Sequence, residues 1–293
     1  MEGFAAAVFR APDPKIGTEF QKITRVPSGE RIAFSRPMSQ DAYVEKRVAG
    51  ISQANLSRSP NKWILQLPGA QNGNLVLDIA CGMGYDSIAW ARAGKTPVGI
   101  DINVGLVRAA KDLAESLGLK IHFVVADSTR LPFRANSFDV SFSENLFEHV
   151  PQWQTIVEEV QRVMRCEGVF FVRTTNRLCP RNPEINHLHF YPWLPERIKR
   201  PILRWVMRKH GSWVNFTKFP AVNWFTYRGL AGTLQKTGFL TYEVFDLIRE
   251  DNVSAKAKKV FFLLALLRRF RALRYCVYPL LHSVQLLAVK QAA

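Results

Sequence analysis

The sequence is poor in cysteine. Its four cysteines are Cys81, Cys166, Cys179 and Cys276, and no two of them form a C-x-x-C pair. Their spacing favours neither a zinc site nor a disulfide framework, so we expect no bound metal. A few cysteines without such a pattern are typical of a reducing compartment, which predicts a cytoplasmic location.

Long apolar runs are also missing. The longest strictly apolar run near the carboxyl end, Val260–Leu267, has eight residues, whereas a membrane-spanning helix needs about 20. The first residues, MEGFAAAVFRAPDPK, lack the basic stretch and long apolar stretch of a secretory signal. We therefore expect neither a membrane span nor a secretory signal.

Acidic residues are scarce in the last 118 positions, which hold twenty basic and six acidic side chains. This segment carries most of the formal net charge of +16. Such a basic region favours an anionic partner: a membrane surface, a nucleic acid or a phosphorylated substrate. A solvated face that only keeps the chain soluble is the alternative explanation.

From residue 74, apolar strand patterns alternate with amphipathic helix patterns. This alternation predicts an α/β fold with a parallel sheet covered by helices on both faces. The predicted strands are LVLDI, TPVGID, KIHFVVAD, SFDVSFS, GVFFVRTT, GFLTYEVFDLI and SVQLLAVK, in chain order. Before the sheet, we expect a helix over residues 39–57 and a short helix that begins at Ser59-Pro60 and ends near Leu67.

One domain with four parts accounts for this order. Residues 1–73 form an amino-terminal arm with helices, and residues 74–175 form a ligand-binding core. Residues 176–235 are rich in Pro, Trp, His and Arg, and we expect them to form a cap over the substrate. Residues 236–293 hold the last two strands, with a basic, apolar helical insertion between them.

The segment VLDIACGMG, residues 76–84, contains a glycine-rich turn after the first strand. Gly82 and Gly84 allow unusual backbone angles and a close approach of ligand to main chain. A dinucleotide-binding turn would have a third glycine where Ser87 stands. The Asp78 carboxylate would crowd a pyrophosphate, but it suits a cationic sulfonium ligand. The turn therefore favours S-adenosylmethionine as the ligand.

Carboxylates follow three successive strands of the predicted sheet: Asp78, Asp101 and Asp127. A carboxylate at Asp101 can accept hydrogen bonds from both ribose hydroxyls, and Asp127 could accept one from an adenine amine. The carboxyl ends of parallel strands form the ligand crevice of an open α/β sheet. Helix N-capping is the alternative role, because each of these residues also precedes a turn or a helix.

Together, VLDIACGMG, GIDIN, ADSTRLPF and SFDVSFSENLFEHV resemble the class I methyltransferases over residues 74–175. The resemblance implies a Rossmann-like, doubly wound sheet of seven strands with an antiparallel last strand. It also implies cofactor contacts to the methionine part, the ribose and adenine, and the sulfonium. The residues in these positions are, respectively, Asp78, Ala80, Gly82 and Gly84; Asp101, Ile102, Asp127 and Ser128; and Ser143, Glu144 and Asn145.

Three histidines are candidate catalytic residues. The segment ENLFEHV is similar to the E-H segment of the ubiquinone-type O-methyltransferases, so His149 could be the base that deprotonates a hydroxyl acceptor. Its alternative role is to cap a turn or line the cofactor pocket. His187 and His189 alternate in NHLHFYPWLP and would face one side of an extended segment, forming a substrate wall with Tyr191 and Trp193. No third ligand at a suitable spacing supports a metal there.

Two basic segments lie in the last third of the chain. Residues 196–210 can form a helix with Arg200, Arg204 and Arg208 on one face, and residues 256–274 combine a dense apolar run with basic ends. Both patterns are typical of interfacial helices on an anionic membrane, or of a cap over an amphiphilic substrate. A cap packed on the core with solvated basic residues is the alternative.

These features predict methyl transfer to a small-molecule, amphiphilic or lipid-linked acceptor, with oxygen as the candidate methylated atom. A nucleic-acid methyltransferase is the second hypothesis because of the charge. Against it, SENL stands where base-amine enzymes have N/D-P-P-Y/F, and Cys179-Pro180 reverses the order of a Pro-Cys nucleophile. A non-catalytic module that binds the cofactor or a partner is the third.

Overall fold

The fold is built on a seven-stranded sheet. The structure is a computed structural model, and it describes residues 8–9, 40–181, 184–210, 213–214, 221–249 and 261–292. The strands are β1 (Leu75–Ile79), β2 (Thr96–Asp101), β3 (His122–Val125), β4 (Phe138–Glu144), β5 (Met164–Thr175), β6 (Phe239–Glu243) and β7 (Ser283–Lys290).

The strand order is β3-β2-β1-β4-β5-β7-β6. The first five strands are parallel, and β7 lies antiparallel to both β5 and β6. This confirms the expected Rossmann-like sheet with an antiparallel last strand. The strand order reverses beside β1, whose neighbours are β2 and β4. Ligands of open α/β sheets bind at such a switch point, outside the carboxyl ends of the strands.

Helices cover both faces of the sheet. They are α1 (Gln40–Ala49), α2 (Gln53–Leu56), α3 (Pro68–Asn72), α4 (Tyr85–Arg92), α5 (Val104–Ser116), α6 (Trp153–Val163), α7 (Glu196–Lys209), α8 (Tyr227–Lys236), α9 (Phe261–Arg269) and α10 (Arg274–Val277). In the described ranges, no helix combines the length and the apolar character that crossing a membrane requires.

Three expected boundaries were wrong. The helix predicted over 39–57 is two helices, because the Ser52 side chain accepts a hydrogen bond from the Asn55 N–H and starts α2 afresh. No helix begins at Ser59-Pro60; Pro68 instead occupies the first turn of α3. The sixth strand ends at Glu243, where the Asp246 side chain accepts from the Glu243 N–H and turns the chain into a 3-10 helix.

The parallel strands at the centre of the sheet are continuous apolar runs because helices cover both of their faces. Every residue of β1 is buried, because helices pack on both of its faces. On one face, α6 contributes Ile156, Val157 and Val160, each with no exposed surface. On the other face, Trp90 of α4 packs near Phe142 of β4, with ring centroids 6.2 Å apart.

A buried arginine ties the insertion after β6 to the sheet. The Arg274 side chain is fully buried, with Nη2 2.6 Å from Asp246 Oδ1 and Nη1 3.1 Å from Glu243 Oε2. Its Nε donates to the Leu267 carbonyl at 2.8 Å, and the Tyr278 hydroxyl donates to Glu243 at 2.8 Å. The guanidinium thus holds α9 and α10 against the end of β6.

Replacing Arg274 with Met should lower the free energy of unfolding by about 3 kcal/mol, because removing one partner of a buried ion pair leaves the other charges uncompensated. Urea unfolding measures the change. Arg269→Met is the matched control, since Arg269 is exposed at the end of α9, and a surface substitution should change stability by less than about 0.5 kcal/mol. Equal losses in the two variants would contradict the anchoring role.

Candidate active site

The carboxyl ends of β1, β2 and β4 meet at one edge of the sheet. Asp78 pairs in register with Gly99 of β2 and Phe142 of β4, so the residues that follow the three strands are neighbours. Asp101 ends β2 and Glu144 ends β4. The structure therefore collects the predicted cofactor residues of these strands at one edge.

The glycine-rich turn leaves its backbone open at one point. Ala80, Gly82 and Gly84 have φ angles of 63°, 53° and 72°, in the left-handed region that favours glycine. A Cβ on Gly82 would meet nothing nearer than Arg47 Nη2 at 4.0 Å, whereas a Cβ on Gly84 would lie 2.7 Å from the Phe123 ring. Gly82 therefore leaves room for a ligand against the main chain, and Gly84 is required by packing.

The Asp101 carboxylate is fixed by the backbone around it. It accepts from the Gly82 N–H at 3.0 Å and from the Asn103 N–H at 2.8 Å, through different oxygens. Burial raises the pKa of this carboxyl, while those hydrogen bonds and Arg47 act in the opposite direction. A carboxylate has about four lone-pair sites, so these backbone donors leave part of its capacity for hydroxyl donors such as those of a ribose.

Asp78 and Asp127 each make a local hydrogen bond. Asp78 is 4% exposed and accepts from the Ser87 hydroxyl at 2.6 Å; burial raises its pKa well above the usual range, and Asp86 adds to the rise. Asp127 accepts from the N–H and the hydroxyl of Thr129, both at 2.8 Å. The Thr129 N–H contact of Asp127 is the capping contact of the alternative role, whereas the Asp78 contact joins two side chains. Both contacts hold the carboxylates at the sheet edge.

The end of β4 presents an unsatisfied hydroxyl. Ser143 is fully buried, and its Oγ has no hydrogen-bond partner within the described residues. Glu144 pairs with Arg173 at 2.7 Å, and burial raises its pKa. Asn145 follows with a φ of 58°, and its N–H donates to the Arg173 carbonyl at 2.8 Å.

A buried cluster lies just beyond β4, in the 3-10 turn Phe147–His149. Glu148 is fully buried, and burial raises its pKa to about 7. Its Oε2 accepts from the Thr174 hydroxyl at 2.7 Å. His149 Nε2 lies 3.9 Å from Glu184 Oε2, and both side chains are nearly buried. The ligand atoms of Glu148, His149 and Glu184 all lie within 4.8 Å of one another.

His187 and His189 are placed differently from His149. The φ angles of 69° at His187 and 62° at Phe190 make this segment a turn, so the expected extended segment with both imidazoles on one side is wrong. Both histidines are exposed. Tyr191 is buried and Trp193 is 49% exposed, so the four side chains do not form a single wall.

Two features of the candidate site were not predicted from the sequence. Helix α1 packs on the amino-terminal end of α5 so closely that a Cβ on Gly105 would lie 2.7 Å from Val44 Cγ2. This contact brings Arg47 beside Gly82 and Asp101. The sequence predicted the helix but gave no signal for its docking. Glu184 was also missed, because it follows His149 by 35 positions in a segment without a recognisable motif.

The sequence is similar to those of known methyltransferases. Residues 77–172 match the model of a family described as a methyltransferase domain. The ubiquinone biosynthesis O-methyltransferase of Actinobacillus pleuropneumoniae serotype 5b is 34% identical over 120 residues, covering 39% of this chain and 51% of that protein. The enzyme of the same name from Coxiella burnetii is 34% identical over 105 residues, covering 36% and 45%.

The fold is also similar to one chain of the complex between the Haloferax volcanii Trm112 methyltransferase activator and a methyltransferase. The TM-score is 0.51 at 15% identity, over 86% of this chain and 96% of the other, and this likeness shows the fold alone. Residues 77–172 are thus similar to a methyltransferase domain, and the curated relatives they match are ubiquinone biosynthesis O-methyltransferases. The chain spans about half the length of the curated relatives it matches.

Gly82→Ala should weaken S-adenosylmethionine binding at least about tenfold, because the added methyl group occupies the open space beside the turn. Gly94→Ala is the matched control: its φ is 79° and a Cβ there would meet nothing within 4 Å. Both variants carry the left-handed strain of about 1–2 kcal/mol. Calorimetry measures binding and thermal unfolding measures the strain. Equal affinities in the two variants would contradict a ligand at Gly82.

Proposed function

We propose that this chain transfers a methyl group from S-adenosylmethionine to an oxygen of a small amphiphilic or lipid-linked acceptor. The observation that carries the proposal is the placement of two features at one sheet edge. One is the open turn at Gly82 with the Asp101 carboxylate, and the other is the buried cluster of Glu148, His149 and Glu184. The names of the curated relatives support oxygen as the methylated atom.

The cofactor supplies a methyl group on a sulfonium, which is an activated carbon with a good leaving group. The chain's own contribution is therefore mainly to position the acceptor and exclude water. Asp101 and Ile102 would hold the ribose and adenine, together with Asp127 and Ser128. The turn at Asp78, Ala80, Gly82 and Gly84 and the segment Ser143–Asn145 would surround the methionine part and the sulfonium.

His149 would accept the proton of an acceptor hydroxyl through Nε2. It lies in the turn directly after β4, and Glu184 lies 3.9 Å from that nitrogen. A base is needed only for an acceptor that loses a proton, such as a hydroxyl. His187 and His189 stay predicted acceptor contacts on the cap over residues 176–235, and their exposure favours contact with an acceptor over proton transfer.

An exposed apolar surface supports an amphiphilic acceptor and an anionic membrane partner. Residues 261–280 contain no acidic side chain. Six of its large apolar side chains are exposed by between 42% and 78%: Phe262, Leu263, Phe270, Leu273, Tyr275 and Leu280. This segment leads into β7, whose first residue pairs with Thr175 at the carboxyl end of β5. The surface therefore lies towards the same edge as the cluster, as peripheral membrane contact would require.

The proposal is tested by incubating the purified chain with methyl-labelled S-adenosylmethionine, a lipid extract and RNA. The measurement is which fraction takes up the label. We expect the label to appear in the lipid extract. We also expect kcat to fall at least about a hundredfold in His149→Gln, because a general base contributes about 10²–10⁴-fold. His282→Gln, an exposed histidine, is the control. Label in RNA would favour a nucleic-acid methyltransferase. Cofactor binding without any transfer would favour a non-catalytic module, and an unchanged rate in His149→Gln would exclude it as the base.

Sedimentation with vesicles tests the membrane surface. The chain should bind phosphatidylcholine vesicles only when they contain phosphatidylglycerol, and less at high salt. The double variant Phe262→Ser with Leu280→Ser should bind at least about tenfold more weakly, because each buried apolar side chain contributes about 1.5–3 kcal/mol. Leu240→Ser, 44% exposed on β6, is the matched control. Equal vesicle binding by the parent, the double variant and the control would exclude this surface as the membrane-binding site.

A further inference from the structure

A buried lysine lies near the start of α7, on the cap over residues 176–235. Lys199 is 3% exposed, and among the described residues its Nζ has one hydrogen-bond acceptor, Glu196 Oε1 at 2.7 Å. An ammonium group has three donor hydrogens, and a lysine is almost never fully buried unless it is paired. The Lys199 ammonium therefore has spare donors in a place where an unpaired donor is costly.

The side chain of Trp224 supplies a second unused donor. Its Nε1 is buried and has no hydrogen-bond partner in the described part of the chain, although a buried indole N–H usually finds one. The Lys199 Nζ lies 4.7 Å from the centroid of the Trp224 ring. The Tyr191 ring packs edge-on against that ring at 5.3 Å, and its hydroxyl donates to the Lys199 carbonyl at 3.1 Å. Two donors without enough acceptors thus lie close together, held by aromatic packing.

The present partner of the lysine is easy to displace. The Glu196 side chain is 64% exposed, and a carboxylate in solvent gains little from holding one ion-paired geometry. Because an exposed carboxylate reaches the buried ammonium, the Lys199 Nζ lies within reach of the surface. An oxygen of a bound anion would take the place of Glu196 Oε1 when the glutamate side chain turns out into solvent.

These two donors are connected to the candidate active site through the residue before Trp224. The Asn223 side chain donates through Nδ2 to the carbonyls of Phe147 and Val150, at 2.9 and 2.8 Å. Phe147 begins the turn that carries His149, and Val150 follows it. Trp224 is therefore fixed beside that turn, on the part of the chain that we expect to cover the acceptor.

We propose that Lys199 Nζ and Trp224 Nε1 form a subsite that binds an oxyanion of the methyl acceptor, a carboxylate or a phosphate. A charged donor beside a neutral one suits a group with two or more anionic oxygens. Trp224 also packs against the buried apolar cluster of Ile185, Tyr191 and Leu203, so the charged end of an amphiphile would lie beside apolar side chains. Assigning the anion to the acceptor rests on the proposed function, whereas the anion subsite itself does not.

Calorimetry of the purified chain with decanoate, decyl phosphate and decanol, each below its micelle-forming concentration, tests the subsite. At least one anion should bind at least about tenfold more tightly than the alcohol of equal chain length, and the tighter anion identifies the class. Trp224→Phe keeps a ring but removes the Nε1 donor, and Lys199→Met removes the charge; each should weaken anion binding at least about fivefold. Trp205→Phe and Lys209→Met, at exposed positions of the same helix, are the matched controls and should leave the affinity unchanged.

Glu196→Gln gives a result that a purely structural ion pair would not. Removing the competing carboxylate should tighten anion binding at least about threefold, because the ligand then displaces no charged partner. Equal affinity for all three amphiphiles, or equal anion affinity in the parent, Trp224→Phe and Glu196→Gln, would overturn the subsite; these two variants decide the test if circular dichroism shows that Lys199→Met is unfolded.

Binding of S-adenosylmethionine to the same samples separates this proposal from the proposed function. Cofactor binding without any preference for the anions would overturn only the subsite. Anion binding that depends on Lys199 and Trp224, without cofactor binding, would support the subsite and contradict methyl transfer.

Discussion

The Asp101 carboxylate holds the cofactor edge together. Its two hydrogen bonds, to the N–H groups of Gly82 and Asn103, join the turn after β1 to the turn after β2. Both backbone segments would otherwise carry unpaired donors at a ligand-facing surface. With these bonds in place, Gly82 keeps its positive φ and its open side. The same carboxylate keeps further acceptor capacity, so one group both shapes the crevice and remains able to bind hydroxyls.

The central sheet was predictable because its signals are local. The strands at 75–79, 96–101 and 283–290 are apolar runs bounded by turns, and the structure has them where the sequence placed them. The contacts that complete the site were not predictable, since they are tertiary. Arg47 reaches Asp101 through the docking of α1, and Glu184 reaches His149 through the path of the cap. Ser59-Pro60 has the local pattern of a helix start, but Pro68 is the one that α3 uses.

The cap over residues 176–235 and the segment that leads into β7 meet at the end of β5. The Asn176 side chain donates to the carbonyls of Tyr278 and Leu281, both at 2.7 Å, and its backbone pairs with Phe225. One buried amide thus joins the cap to the segment that leads into β7. Under the proposed function, the acidic strand ends would face the cofactor and the basic additions would face the acceptor. A cationic cofactor and an anionic or membrane-bound acceptor would each meet charge of the opposite sign.

The position of Glu184 decides what the imidazole of His149 can do. A carboxylate that only orients a catalytic histidine lies within hydrogen-bond distance of one ring nitrogen and leaves the other free for the acceptor. Here the carboxylate is 3.9 Å from Nε2, and a second buried carboxylate stands beside it with an unpaired oxygen. Glu184 therefore lies where it would stabilise the positive charge that His149 gains on accepting a proton.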